Sequence, residues 1–282
     1  MRFGILCGGT GWHVQDLMRA ARGLGHTAEA LDFRRLTATV PAAPVPFDAL
    51  IVRTMPAGSL EQIVFRMDWL HAAVAGGCAV LNAPHALETC VDKFLATVRL
   101  SEAGLPVPRT ICTQTAGDAM AAFADLGGDV VVKPIFGSEG RGMVRITDAE
   151  IAWRTFRAIE QTGGVLYLQE FVRHPGWDVR AFVLGGRVIA SMKRFGHGDW
   201  RTNIAQGGTA EPCELTPAQV EMALAAARAT GAMIAGLDLM RDDLGRWVVI
   251  EVNAVPGWKA LAAACGLDVA SAIVRFAAEG RT

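Results

Sequence analysis

The sequence predicts an α/β protein in which an N-terminal open parallel sheet is followed by an α+β region. Up to about residue 85, short apolar runs alternate with helical stretches, which is the pattern of repeated βα units. Beyond the glycine- and proline-rich segment at 104–108, β-branched runs and two hairpin turn signals replace that alternation. The 282 residues, 51% hydrophobic and 20% charged, can bury a sizeable core in one large domain or in two to three small ones.

The N-terminal domain, placed at 1–85, is predicted to contain four strands and two helices. The predicted strands are 2–6, 27–32, 48–52 and 79–82. The first helix runs from Trp12 to Gly23. The second begins at a capping box, in which Ser59 precedes Gln62 by three residues, and it ends at the next glycine pair.

Along the α+β region, turn and capping signals predict helices and hairpins in succession. The predicted elements are a helix over 90–103, a strand over 130–133, a helix capped at 147–150 that stops at 163–164, a hairpin turning at 184–187, a helix over 216–231 and a hairpin turning at 242–246. The helix that begins at Thr216 has a capping box and Pro217 at its first position, so it is the most strongly marked of these elements.

The charge balance and the cysteines exclude several classes of protein. Lys and Arg number 27 against 28 Asp and Glu, so the sequence does not indicate a nucleic-acid or membrane-surface binder. The six cysteines include no C-x-x-C pair, which argues against a zinc ribbon or a disulfide scaffold. The N-terminal apolar run is too short for a secretory signal, and no uncharged run reaches the ~18 residues of a membrane span. We therefore expect a soluble cytoplasmic protein.

Two carboxylates meet in the last predicted hairpin. Asp238 and Glu251 are equidistant from the turn midpoint, so they are expected directly across the ladder, with Cβ atoms roughly 4.5–5.5 Å apart. Asn253 shares the face of Glu251, whereas Leu239 and Ile250 are expected to face the other way. Two such carboxylates repel, and a hard cation such as Mg²⁺ relieves the repulsion. The alternative is a solvated polar face, but the glycine- and proline-containing loop after Asn253 favours a ligand-lining element.

A lysine and a glycine-rich loop mark a second candidate site. Lys133 ends a β-branched strand, where a buried ammonium needs an anionic partner. Gly137, Gly140 and Gly142 follow, and their backbone N–H groups could approach phosphates closely. The segment is not a Walker A loop, and an ordinary glycine-rich turn is the alternative interpretation.

The hairpin that turns at 185–186 places further charges on one face. Folding there sets Asp178 opposite Lys193 and Arg180 opposite Ser191. Asp178 and Lys193 could be a plain cross-strand ion pair. The polar loop at 200–208, which contains two glycines, is hard to explain as core.

The loop Gly8–Gly11 follows a strand and precedes a helix, as a dinucleotide-binding turn does. However, G-x-G-x-x-G is not matched, and Asp32 is weak support for a ribose contact. The single histidines, including His13 and His174, are interpreted as surface or loop residues, and the cysteines as small core residues.

These features together resemble the ATP-grasp superfamily, and within it the RimK-like α-L-glutamate ligases. The resemblance extends from about Asn82 to Trp258. The matching segments, in order, are 92–93, 104–108, 132–142, 169–172, 178–180, 201–203 with 207–208, and 238–257. Each is weak alone, but their order and spacing are specific.

The resemblance implies an ATP-grasp fold in which ATP lies between a central lobe at 86–170 and a C-terminal lobe at 171–282. Phosphate contacts are implied for Lys93 and Lys133. The implied lid over the phosphates comprises Gly137, Ser138, Gly140 and Gly142. The implied adenine-binding hinge comprises Gln169, Glu170, Phe171 and Val172.

The resemblance also implies the remaining site residues. Asp178 would reach the ribose. One or two Mg²⁺ ions, or Mn²⁺ in their place, would be held by Asp238, Glu251 and Asn253. The phosphate and acyl site, which includes the catalytic groups, would be lined by Arg180, Lys193, Arg194, Arg201, Thr202 and Asn203.

The implied reaction is ATP-dependent phosphorylation of a substrate carboxylate, followed by attack of an amine to form an amide. The amine would belong to L-glutamate or another amino acid, and the carboxylate to a small molecule such as a pterin coenzyme. The enzyme would be a homo-oligomer, as is common among these ligases. Trp12 is interpreted as a core residue, with stacking on a flat substrate as the alternative. The open alternatives are a ligase for a protein tail or carrier protein, another ATP-grasp ligase, and a non-catalytic ATP-binding regulator.

Overall fold

The computed structural model describes residues 1–41, 43–137, 140–196, 198, 200–202 and 207–280. Their strands form three sheets. The first is parallel, with strand order β2-β1-β3-β4, and the other two are antiparallel. The predicted succession of an open parallel sheet and an α+β region is therefore confirmed. The boundaries at residues 85 and 170 remain predictions.

The first sheet and its helices follow the predicted order closely. The elements are β1 (Arg2–Cys7), α1 (Trp12–Gly23), β2 (Thr27–Asp32), a 3-10 turn (Phe33–Arg35), β3 (Ala49–Val52), α2 (Leu60–Ala75) and β4 (Ala79–Leu81). The capping box at the start of α2 is complete: the Ser59 side chain accepts from the Gln62 backbone N–H, and the Gln62 side chain accepts from the Ser59 N–H.

The second sheet has the order β5-β8-β6-β7. Its region comprises α3 (Pro84–Val91), α4 (Lys93–Glu102), β5 (Thr110–Thr113), α5 (Ala116–Asp125), β6 (Val130–Lys133), β7 (Val144–Ile146), α6 (Ala149–Gln161) and β8 (Leu166–Glu170). The expected single helix over 90–103 is wrong, because the chain breaks at Asp92. There the backbone is extended, and the carboxylate accepts from the N–H groups of Phe94 and Leu95 to begin α4.

The third sheet has the order β11-β10-β9-β12-β13. Its elements are β9 (Trp177–Leu184), β10 (Arg187–Phe195), β11 (Thr209–Pro212), α7 (Pro217–Thr230), β12 (Ile234–Arg241), β13 (Trp247–Asn253), α8 (Lys259–Cys265) and α9 (Val269–Ala278).

Within the described ranges, no single helix is long and apolar enough to span a membrane. The helices α8 and α9 reach that length and apolar character only when they are taken together, and they are bent by 108° at their junction.

The first and third sheets share their hydrophobic cores, whereas the second sheet has its own. One shared core joins Leu50 and Leu70 to Leu237, and another joins Ile5 and Leu17 of the N-terminal region to Ile273 of α9. The core of the second sheet lies between its strands and the helices α5 and α6. A cleft separates the second sheet from the third, and it is lined from both sides.

The two hairpins of the third sheet differ from their expected geometry by single bulged residues. In β10, a bulge at Ile189 shifts the register, so that Asp178 pairs with Arg194 and Arg180 with Met192. The predicted pairings with Lys193 and Ser191 are therefore wrong, because one extra residue moves every later side chain to the other face. In the other hairpin, Asp238 does pair with Glu251 as predicted, with a bulge at Ile250.

Candidate functional site

Most of the predicted site residues meet in the cleft between the second and third sheets. Those that line it are Lys93, Lys133, Gly137, Gly140, Gln169, Glu170, Phe171, Val172, Asp178, Arg194, Arg201, Thr202, Asp238 and Glu251. Arg180 and Asn253 adjoin this set through Asp238 and Glu251. Ser138 and Asn203 lie outside the described residues, so the structure says nothing of their predicted roles.

Lys133 provides a buried positive charge on the second-sheet wall. It is 8% exposed, and its ammonium donates to Gln169 Oε1 at 2.5 Å. Burial lowers the pKa of Lys133 to about 8, an effect that nearby Lys93 strengthens and Glu251 opposes. An ammonium has three N–H donors, and among the described residues Gln169 accepts a hydrogen bond from one of them. The group therefore fits an anion such as a phosphate.

The orientation of Gln169 is set by a second layer of hydrogen bonds. Its amide nitrogen donates to Thr110 Oγ1 at 3.0 Å and to the Tyr167 hydroxyl at 3.2 Å, which turns its oxygen towards Lys133. Burial raises the pKa of Tyr167 to about 12, so the hydroxyl keeps its proton. Tyr167 was not among the residues predicted from the sequence. The signal was its position two residues before Gln169, on the same face of a strand.

Lys93 is the second cation of this wall and begins α4. Its ammonium donates to the Gly137 carbonyl at 2.6 Å and lies 3.8 Å from Glu251 Oε1. The same lysine thus contacts the glycine loop and the third sheet. The Gly140 and Gly142 backbones have φ near +70°, a conformation that favours glycine.

The segment after β8 links the second sheet to the third. The Arg145 guanidinium lies over the Phe171 ring, with its central carbon 3.5 Å from the ring centroid. The Phe171 ring also packs edge-to-face with the Trp200 ring, and their centroids are 6.0 Å apart. His174, expected at the surface or in a loop, lies in this loop segment and lines the cleft, and burial lowers its pKa. The predicted adenine-binding role of residues 169–172 stays a prediction.

The third-sheet wall contains a buried network of two carboxylates and two guanidiniums. Arg194 donates to Asp178 at 2.7 and 2.5 Å and lies 2.9 Å from Asp238. Arg180 is paired with both oxygens of Asp238. Thr202 donates to Asp178 at 2.7 Å. The predicted ribose contact of Asp178 therefore involves a carboxylate whose two oxygens already accept these bonds.

The opposite charges in this network shift the pKa values of Asp238 and Arg194. Burial would raise the pKa of Asp238, but the positive charges of Arg180 and Arg194 outweigh it and lower the pKa to about 2. Burial would lower the pKa of Arg194, but the negative charges of Asp238 and Asp178 outweigh it and hold that pKa above its ordinary value. Asp238 and Arg194 are therefore both charged at neutral pH.

Lys193 does not belong to this wall. The bulge at Ile189 puts it on the opposite face of β10, where its ammonium lies 4.2 Å from the centroid of the Trp177 ring. The opposite holds for Ile250. Its side chain was expected to face away from the predicted metal site, but the bulge at this residue turns it towards the cleft, which it lines. In both strands one bulged residue reversed the expected face.

The predicted metal-binding residues form a mixed set of oxygen donors. Asp238 and Glu251 are cross-strand partners, and Asn253 is paired with Gly236 on the same face. Among the described residues, no group of three His, Cys, Asp or Glu side chains forms a metal site. Carboxylate and amide oxygens fit a hard cation such as Mg²⁺, which would have to share Asp238 with Arg180 and Arg194.

Comparisons with known proteins identify the family and the fold of the chain. A family model described as a RimK-like ATP-grasp domain matches residues 90–277. The tetrahydromethanopterin:alpha-L-glutamate ligase of Methanosarcina acetivorans is 34% identical over 94% of both chains. A probable alpha-L-glutamate ligase of Thioalkalivibrio sulfidiphilus is 33% identical over 94% of this chain and 91% of its own. A RimK domain ATP-grasp protein of Sphaerobacter thermophilus superposes with a TM-score of 0.80, at 22% identity and with 98% and 99% of the two chains covered.

Proposed function

The chain belongs to the RimK-like ATP-grasp family and is an ATP-dependent ligase that forms C–N bonds between a carboxylate and an amine. From this premise we propose that it joins the amino group of L-glutamate to a carboxylate of a small coenzyme such as a pterin. The observation that carries the proposal is the charge arrangement of the cleft. The ammonium of Lys133, whose acceptor among the described residues is Gln169, faces a wall that contains Asp238 and Glu251.

In the proposed first step, a carboxylate oxygen of the coenzyme attacks the γ-phosphorus of ATP. The bond between the γ-phosphorus and the bridging oxygen breaks, so that ADP is released and an acylphosphate forms. Lys133 and Lys93 neutralise negative charge on the phosphoryl oxygens, which is the main requirement of this chemistry. Mg²⁺, when held by Asp238, Glu251 and Asn253, supplies further neutralisation of that charge.

In the second step, the amine nitrogen attacks the acyl carbon, inorganic phosphate leaves, and the nitrogen loses a proton. Arg201 lines the cleft beside this wall and can bind anionic oxygens of the acyl phosphate. The loop from Gly137 to Gly142, which Lys93 already contacts, would exclude water from the intermediate. Without such exclusion, hydrolysis of the acylphosphate would compete with amide formation.

The choice of a coenzyme acceptor rests on two supports. The first is the 34% identity, over almost the whole of both chains, to a relative whose name specifies tetrahydromethanopterin and glutamate. The second is Trp12, which was expected in the core but is 41% exposed at the start of α1. An exposed indole offers a stacking surface to a flat ring system. A cytoplasmic location and a homo-oligomeric state remain part of this proposal.

The test is ADP release with ATP, Mg²⁺ and L-glutamate over a panel of acceptors. The panel should contain reduced pterins, flavin-type coenzymes and a peptide that ends in glutamate. We expect ADP formation that requires both glutamate and a pterin, with a product heavier by one glutamyl unit. Turnover on the peptide alone would indicate a protein acceptor, and tight ATP binding without turnover on any acceptor would favour the regulatory alternative.

Glu251→Gln and Glu221→Gln provide a matched pair of controls. Glu251 lines the cleft, whereas Glu221 forms an exposed ion pair with Arg228 on α7. Loss of turnover in Glu251→Gln only would tie the measured activity to the cleft. Equal turnover in both variants would contradict the proposed site.

A further inference from the structure

The loop Ala254–Trp258, which directly follows Asn253, is held by side chains of the N-terminal region. We call it the post-Asn253 loop. Asn82 donates to the Ala254 carbonyl at 2.6 Å, and Arg53 donates to the Val255 carbonyl at 2.9 Å. These contacts join parts of the chain that are 172 and 202 residues apart.

His13 holds the far end of the same loop. Its Nε2 accepts from the backbone N–H groups of Trp258 at 3.1 Å and of Lys259 at 3.3 Å. Its ring is edge-to-face with the Trp258 indole, with centroids 4.7 Å apart. The indole is buried and donates to Asp16 at 2.9 Å, so α1 contacts the loop through two residues.

The loop in turn contacts β12 and β13, the two strands that carry the predicted metal site. Asn253 Oδ1 accepts from the Val255 N–H at 2.8 Å, so the loop backbone orients that amide. Pro256 packs on Gly236, where an added Cβ would come within 2.8 Å of the proline side chain and 3.1 Å of Arg180. A shift of the loop would therefore reach both Asn253 and Gly236.

We propose that His13, acting with Arg53, is a positioning residue that fixes the post-Asn253 loop and thereby the metal-binding geometry of Asn253. The neutral imidazole is required, because Nε2 must accept two N–H donors. His13 touches neither nucleotide nor metal in this proposal. The inference rests on the metal assignment of the proposed function. It explains why a histidine expected at the surface or in a loop is half-buried against the post-Asn253 loop.

The test uses Mn²⁺ as the probe, with free Mn²⁺ measured by electron paramagnetic resonance in the presence of ADP and the full chain. His13→Ala should weaken Mn²⁺ binding by about 10-fold or more, as loss of groups that orient a metal ligand commonly does. His13→Gln should recover most of the affinity, because its amide oxygen can accept from the same N–H groups. ADP binding without metal should be unchanged in both variants.

His71→Ala is the matched control, because His71 is exposed and is hydrogen-bonded to Glu88 at 2.9 Å, on the protein surface. It should bind Mn²⁺ as the wild-type chain does. Wild-type Mn²⁺ affinity in His13→Ala would overturn the inference, as would equal losses in His13→Ala and His13→Gln. Equal weakening of metal-free ADP binding would also overturn it, since this indicates general damage. If the wild-type chain binds no Mn²⁺ with ADP, the metal assignment fails, and the inference fails with it.

Discussion

The two walls of the cleft carry their positive charges in different ways. On the second-sheet wall, the ammonium groups of Lys133 and Lys93 donate to Gln169 and to the Gly137 carbonyl respectively. On the third-sheet wall, Arg180 and Arg194 are paired with carboxylates. The lysines can accept an anionic ligand with little rearrangement, whereas the arginines already neutralise the charge of the protein itself. One wall is thus suited to phosphate binding, and the other to holding a fixed geometry.

Asp238 and Glu251 show the same contrast within one ladder. They are cross-strand partners, but Asp238 is 4% exposed and paired with two guanidiniums, while the side chain of Glu251 is 32% exposed and lies 3.8 Å from Lys93. The two carboxylates are predicted ligands of one metal site, but they are expected to contribute differently to the stability of the fold. Charge removal should damage the fold at one position and only the chemistry at the other.

The largest expected effect is that of Asp238→Asn. It leaves Arg180 and Arg194 buried without their shared carboxylate, and breaking such a buried pair costs about 3–5 kcal/mol. We expect a loss of that size in the free energy of unfolding, measured by urea denaturation, together with loss of turnover. Glu221→Gln, which disrupts an exposed pair, should change stability by less than about 1 kcal/mol. Unchanged stability in Asp238→Asn would contradict the structural role of the network.

Glu251→Gln should separate chemistry from folding. Turnover should fall ~100-fold or more, since an aligned charge at the transferring phosphoryl group is lost. The free energy of unfolding should stay within about 0.5 kcal/mol of the wild-type value, because the Glu251 side chain is partly exposed and its ion pair with Lys93 is long, at 3.8 Å. Steady-state kinetics and urea denaturation of the same preparation measure both quantities. A stability loss as large as that of Asp238→Asn would remove the distinction between the two carboxylates.

Lys133→Ala tests the phosphate-binding wall, with Lys193→Ala as its control. Loss of a hydrogen bond to a charged group should raise the dissociation constant of ATP about 10-fold or more. Lys193 lies on the opposite face of β10 over the Trp177 ring, so its removal should leave ATP binding almost unchanged. Isothermal titration calorimetry measures both constants. Equal losses in the two variants would show that the register of β10 or the phosphate site is wrong.

The smallest expected effect is a pH dependence of stability due to His13. Burial, aided by the positive charges of Arg53 and Lys259 and opposed by Asp16, lowers its pKa from 6.5 to about 4. Between these values the unfolded chain binds a proton that the folded chain does not, so stability falls as the pH falls from 6.5 towards 4 and is unaffected above that range. His13→Gln should lose less stability than the wild type between about pH 7 and about pH 5 in urea denaturation. Parallel declines would refute the assignment.

The elements that local signals mark were predicted well. The capping boxes at Ser59 and Thr216 are present, and the Gly185–Gly186 turn joins β9 to β10 as expected. These features depend on residues within a few positions of one another. The break at Asp92 was missed, because a capping residue inside a helical pattern looks like an ordinary polar position.

The bulges explain which predicted cross-strand pairings were confirmed and which were wrong. Asp238 was correctly paired with Glu251, because the bulge at Ile250 compensates a turn that is centred slightly earlier than assumed. Lys193 was wrongly placed, because the bulge at Ile189 has no such compensation. Neither bulge follows from the local sequence, since packing of the whole sheet selects where the extra residue is accommodated.

By itself, the sequence determined the fold class, the order of most elements and the residues that supply charge to the cleft. Hydrophobic periodicity, capping and turn chemistry are local, so they can be read along the chain. Only the tertiary structure decided that Arg194 joins Asp178 to Asp238 and that His13 reaches the start of α8, 245 residues away. The first of these contacts depends on the register of three strands in the third sheet, and the second on how the N-terminal region packs against that sheet. Neither leaves a periodic trace in the sequence.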